Sequence, residues 1–236
     1  MSQSVVPDPN IAPDISRLVI EDAAPVDNLI SEKQQRLLTE VLYSNDVFES
    51  RSFLVAANVG VFYAVRQPPL VPDVFLSLDV EVPQDWREKK NRTYFVWEFG
   101  KSPDVAIEIV SNKEGNELGS KLTNYARMGV IYYAVFDPLE QLGGNLLTVF
   151  ELRANRYQEK SDAWFDEIGI GLTLWDGTFE GKRARWLRWC NRTGAIIPTG
   201  FERAEQERQR AEQAEARAGR LAERLRGLGI DPNAED

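Results

Sequence analysis

At 236 residues, 43% of them apolar, the chain is long enough to bury one substantial core. It has no histidine and a single cysteine, Cys190, which excludes Ser-His-Asp and Cys-His triads, HExxH zinc sites, thiolate-rich metal sites within one chain and any internal disulfide. The net charge of −9 argues against binding nucleic acid through bulk electrostatics, so such a partner needs a local basic patch.

Residues 1–28 are rich in Pro and Asp, show no clear period and read as a flexible leader. They carry no cationic segment ahead of an apolar run, and the longest apolar stretch, Phe53 to Val65, is too short to span a bilayer. Both point to a cytoplasmic protein with no membrane partner. Ser31 and Gln34 offer a capping box, followed at helical spacing by Leu37, Leu38, Val41 and Leu42. From Phe53 onward the residues turn β-branched and aromatic, predicting strands in "FLVAA", "VGVFYAV" and "PDVFLSLDVEV". A charged, Trp-bearing loop, "PQDWREKKNRT", leads to the apolar run "YFVWEF". Next come "DVAIEIV", a helix from about Glu117 to Met128 stopped by Gly129, and the strand "VIYYAVF". Strand, loop, helix, strand predicts a βαβ-type crossover in a mixed α/β sheet. "LLTVFEL", "ANRYQEK" and "LTLWDG" read as meander strands. Beyond Pro198, "FERAEQERQRAEQAEARAGRLAERLRG" consists almost wholly of strong helix formers. Its heptad positions fall on Ala204, Ala211, Ala218 and Leu225, and on Glu207, Ala214, Leu221 and Leu228. That predicts a charged helix, either solvated or paired weakly with a copy of itself.

Alternation along "DVAIEIV" places Val105, Ile107 and Ile109 on one face and Ala106, Glu108 and Val110 on the other. A carboxylate among such neighbours is costly without a partner. Lys121 is the candidate, since Glu117, Lys121 and Tyr125 share one helical stripe that can fold back over the strand. Asp73, at the start of its own strand after Pro72, converges with Glu108 if the two strands are neighbours. Two carboxylates and a lysine are the minimum for holding Mg²⁺ and attacking a phosphodiester without histidine. A structural ion pair between Glu108 and Lys121, and a turn-forming role for Asp73, are the plainer alternatives. Asp79 is a spare acid on the parity of Asp73, explained more cheaply by surface alternation; Tyr125 reads as core and Lys113 as a solvated loop residue.

"PDV", "DVAIEIVS" and "ELGSKLTNYARMGVIYYAVFDP" together resemble the Uma-type putative restriction endonucleases of the PD-(D/E)XK nuclease superfamily, over about Leu29 to Thr199. The resemblance implies an α/β, restriction-endonuclease-like mixed β-sheet flanked by helices, here with a C-terminal charged helix. It divides the chain into a leader (1–28), a nuclease-like domain (29–199) and a helical tail (200–236) that can form a weak coiled coil. It also implies Mg²⁺-dependent cleavage of DNA, with Mn²⁺ as a substitute. Asp73 and Glu108 would be the metal-holding acids, and Lys121 would join them as the third catalytic residue. Val110 stands where the superfamily's usual lysine falls, so that role passes to the helix. Asn116-Glu117 occupies the place of an aspartate common in relatives.

Two clusters mix cations with tryptophan as candidate DNA contacts, Lys182 to Arg192 and Trp86 to Arg92. In the first, Trp186, Leu187 and Trp189 fit a core equally well. A homodimer, through the tail or the nuclease domain, would suit cleavage of both strands. The rival reading is a catalytically silent DNA-binding or protein-interaction module; hydrolysis of RNA or a small phosphodiester is a third.

Overall fold

The computed structural model describes residues 28–111 and 116–228. The leader up to Val26-Asp27, Lys113 and residues 229–236 lie outside the described residues. The chain divides into two compact units, Met1–Ile197 and Pro198–Asp236.

The first unit opens with helix α1, Leu29–Tyr43. Asn28, not Ser31, is its cap: Asn28 is the last extended residue, and its side-chain oxygen accepts from the amides of Ile30 and Ser31. Ser31 is instead buried in the first turn. Gln34, expected to close a capping box, turns inward, where its amide exchanges two hydrogen bonds of 2.8 and 2.9 Å with the Leu187 backbone.

Eight strands follow from Phe53 to Glu159: β1 (Phe53–Ala57), β2 (Val61–Phe62), β3 (Val74–Leu78), β4 (Tyr94–Phe95), β5 (Val105–Ile109), β6 (Tyr132–Phe136), β7 (Leu147–Arg153) and β8 (Arg156–Glu159). Six form the main sheet in the order β1-β3-β5-β6-β7-β8. Only β5 and β6 run parallel in it, joined by helix α3, Leu122–Met128, as the crossover pattern predicts. Gly129, at φ 90°, ends α3 as expected. Two expectations change. The strand read through Val65 is confined to Val61–Phe62, pairing with β4 in a two-stranded ribbon. "YFVWEF" continues from β4 into one helical turn, α2 (Val96–Phe99), ended by Gly100 at φ 75°.

The alternation of β5 is realised. Val105, Ile107 and Ile109 pack with Leu38, Val41 and Leu42 of α1, while Ala106 and Val110 pack with Tyr125 and Met128 of α3. Both faces of the sheet are therefore covered, and each fully buried Val, Leu or Ile adds about 1.5–3 kcal/mol. "LTLWDG" is no continuation of the meander. It belongs to β10 (Ile170–Phe179), which pairs with β9 (Trp164–Phe165) and with β11 (Lys182–Cys190) in a separate three-stranded sheet. Among the described residues no helix is long and apolar enough to cross a membrane.

The second unit is helix α4, Gly200–Gly227, started by a capping box of Thr199 and Glu202. None of its helical residues is buried, so both seam positions are accessible along its length.

Candidate active site

β3 and β5 pair antiparallel with Val74 opposite Ile107. One step further along that register, Asp73 stands opposite Glu108, and directly opposed residues point to the same face. Asp73 lies just past the end of the backbone ladder, where its Oδ2 accepts from the Ile109 amide at 2.7 Å. Its Oδ1 accepts from Gln35 Nε2 of α1 at 2.9 Å. Gln35 is held in turn by Asn58, whose Nδ2 donates to Gln35 Oε1 at 2.8 Å. Burial raises the Asp73 pKa, against the pull of these donors.

Glu108 is 1% exposed. Lys121 Nζ donates to its Oε2 at 2.9 Å and Tyr125 Oη to its Oε1 at 2.6 Å. Burial pushes the Glu108 carboxyl up to about 8; Lys121 opposes the shift and the charge of Asp73 adds to it. Burial also works against the charge on Lys121, but Glu108, with Glu117 and Asp73, outweighs it and holds the ammonium above its ordinary pKa. The Lys121 side chain keeps 32% of its surface exposed, so it reaches both the buried acid and solvent.

Glu117 completes the cluster. Residues Glu117–Lys121 form a widened, π-type turn entered through Asn116 at φ 56°, rather than the first turn of a regular helix. At Gly119 a Cβ would fall against the exposed Asn116 side chain, which would have to swing aside to admit it. The turn brings Glu117 Oε1 to 3.6 Å from Lys121 Nζ and leaves Glu117 Oε2 buried with no hydrogen-bond partner among the described residues.

Asp73, Glu108 and Lys121 thus meet. Val110 is buried against Tyr125, which leaves the helix-borne Lys121 as the cation at this site. Asp79 is elsewhere, exposed at φ 55° past the far end of β3 and paired with Arg51. Reading Tyr125 as core is incomplete: its ring is core, but its hydroxyl grips the acid. Gln35 and Asn58 join the site without any mark in the sequence, since neutral polar residues on a helix and a turn carry no sequence signal of burial. Tyr125→Phe is expected to lower stability by about 1–3 kcal/mol in urea titration, the cost of a buried acceptor losing its donor; an unchanged midpoint would show that Oε1 is satisfied otherwise.

Of the two basic clusters, Lys182–Arg192 is reassigned. Trp186, Leu187, Arg188 and Trp189 are buried in β11, Arg185 pairs with Asp176, and Trp189 Nε1 donates to the Leu38 carbonyl. The tryptophans are core and cannot stack on bases. In the other cluster Trp86 is 67% exposed, beside Arg87, Lys89 and Lys90.

The donor set suits a hard divalent cation. The two opposed acids are buried and disfavour joint ionisation, and Mg²⁺ is commonly held by one or two carboxylates with water and phosphate completing its shell. No group of three or more acidic or cysteine side chains able to hold a metal occurs among the described residues, so the protein's share would be that pair.

A mixed sheet flanked by helices, with two acids opposed across neighbouring strands and a lysine from the crossover, defines an α/β protein of the restriction-endonuclease-like class. The chain belongs to the Uma2 family, whose model, described as "Putative restriction endonuclease", matches residues 18–169, more than half of the sequence. The match contains Asp73, Glu108 and Lys121 and stops before β10. No curated protein matches the chain.

Proposed function

We propose that the protein is a Mg²⁺-dependent endonuclease that hydrolyses phosphodiester bonds of DNA. The observation that carries this reading is the convergence of Asp73, Glu108 and Lys121 at one end of the central strands β3 and β5, in a chain of a restriction endonuclease family. Asp73 and Glu108 would hold the metal, which supplies Lewis-acid polarisation of the phosphate and a water of lowered pKa. Gln35 and the Ile109 amide fix one carboxylate, and Tyr125 and Lys121 fix the other. Lys121, part exposed, orients the attacking water and steadies negative charge growing on the phosphate. The exposed Trp86 loop is a contact for the duplex.

One feature favours a second reading: Lys121 already satisfies Glu108, as a structural ion pair in a silent relative would. Metal titration separates the two. A nuclease site should be stabilised by Mg²⁺, by about 2.7 kcal/mol at a hundredfold excess over Kd, and Glu108→Ala should abolish the gain. It should also nick supercoiled plasmid. Absence of both stabilisation and nicking would leave the silent module, and preferential cleavage of RNA in competition would replace DNA as substrate.

A further inference from the structure

A cleft of about 590 Å³ opens between α3 and the β7–β8 hairpin. Leu122, Ala126 and Tyr157 form its apolar part; its polar groups are Thr123 and Arg127 of α3 and Asn155 and Arg156 of the β7–β8 hairpin. That hairpin is a tight two-residue turn, with Arg153 paired to Arg156 and both Ala154 and Asn155 at positive φ, 48° and 61°. Arg156 is therefore set on a short, stiff support.

Arg36, Arg51, Arg153, Arg185 and Arg208 each engage a carboxylate. Arg127 and Arg156 are exposed and make no ion pair or side-chain hydrogen bond among the described residues. Other exposed arginines, Arg66 and Arg210 among them, also lack a carboxylate partner among the described residues, but Arg127 and Arg156 line one cleft together. No carboxylate lines the cleft, although the protein as a whole carries −9. Two unneutralised guanidinium groups in a concave, acid-free surface make a local positive site on an acidic protein, the arrangement that attracts and orients a polyanion. Guanidinium groups also match phosphate geometry better than ammonium groups do.

Position identifies the polyanion. Thr123 and Arg127 lie one turn apart on one flank of α3, which begins directly after Lys121. Arg127 is six residues beyond Lys121, about 9 Å along a helix at 1.5 Å per residue. For a duplex whose axis runs along α3, the phosphates of one strand advance by about 3.4 Å each, so 9 Å corresponds to roughly two to three phosphates.

We propose that the cleft between α3 and the β7–β8 hairpin binds the phosphate backbone of the DNA strand two to three nucleotides from the phosphate held beside Lys121, with Arg127 and Arg156 as its phosphate contacts. The proposal rests on the nuclease reading and adds the path of the strand to it. It assigns these arginines to binding and register, with no part in the chemical step.

The test is the salt dependence of binding of the full chain to a short duplex of mixed sequence, with a chelator present so that nothing is cut. Each lost phosphate contact reduces the slope of log K against log salt by about 0.9 for duplex DNA. Arg127→Ala/Arg156→Ala should flatten the slope by about 1.8, weaken binding equally across sequences, and leave the melting midpoint of the free protein unchanged. Arg127→Lys/Arg156→Lys, which keeps both charges, should retain most of the slope. A double-Ala slope equal to that of the unmodified protein overturns the proposal while the nuclease reading stands. The same follows if the Lys pair loses as much as the Ala pair, since the loss is then structural. Inorganic phosphate competing as well as the duplex, phosphate for phosphate, would mark a free-anion site and overturn it too. If the unmodified protein neither binds the duplex nor nicks plasmid, the nuclease reading itself fails and the strand path falls with it.

Discussion

Lys121→Ala is expected to slow Mg²⁺-dependent plasmid nicking by about 10²–10⁴-fold, the range for loss of a positioned acid/base group. The expectation follows from where the ammonium sits. Its Nζ is 2.9 Å from Glu108 Oε2, yet a third of the side chain is exposed, so it touches the acid and the space a phosphate would occupy. No lysine on β5 can substitute, because position 110 is a buried valine. Glu108→Ala should cost at least as much, since it removes a carboxylate proposed to hold the metal as well as the lysine's partner. Lys121→Arg distinguishes the two parts of the lysine's role. It preserves charge but changes the shape and reach of the head group, so recovery of the rate would assign Lys121 to charge stabilisation rather than to placing the water. Equal nicking by the unmodified protein, Lys121→Ala and Glu108→Ala would sink the site assignment. The fold should survive removal of the lysine, because Glu108 can take up a proton and remain hydrogen-bonded to Tyr125.

The second large effect is on stability against pH in the metal-free protein. Burial raises the Glu108 carboxyl from 4.5 to about 8. An acid whose folded pKa is raised binds its proton more tightly when folded, so stability falls as pH rises between the two values. Its favourable contribution is complete below about 4.5 and lost as pH passes through about 8. Each tenfold change in proton affinity is worth about 1.4 kcal/mol, so the decline should be on the order of a few kcal/mol between pH 5 and 9. Glu108→Gln keeps the shape without the charge and should flatten this part of the profile, standing above the unmodified protein at pH 9 and near it at pH 5. Urea titration at several pH values in chelator measures this directly; parallel profiles would show that Glu108 ionises at no cost. Saturating Mg²⁺ should reduce the decline, because a bound cation favours the ionised carboxylate.

The candidate site was legible to different depths. Glu108 stood out because β5 is buried on both faces, so its sequence is a nearly continuous apolar run in which one acid is conspicuous. Lys121 could be matched to it because helical periodicity and a crossover connection constrain where the next helix returns. Asp73 looked no different from a turn residue until the β3–β5 register set it opposite Glu108. Gln35, Asn58 and the Tyr125 hydroxyl gave no local signal. Trp186 and Trp189 misled in the opposite way: cations interleave with aromatics in β11 just as they would on a nucleic-acid surface, and only burial of the strand's second half separates the two.

What the sequence determines by itself is therefore local. It sets the strand and helix periods, the stop at Gly129, the face each side chain of β5 takes, the charged helical tail, and, through the absence of histidine, the restriction of any catalysis to carboxylates, lysine, tyrosine, serine and hard cations. Those properties depend on dihedral preferences and on neighbours within a few residues. Only the tertiary structure decides that Asp73 opposes Glu108, that Gln35 from α1 and Tyr125 from α3 hold the two acids from opposite sides, and that the tryptophans of β11 face inward. These depend on strand order and register, which arise from packing both sheet faces at once and from pairing each buried polar group with a partner distant in the chain.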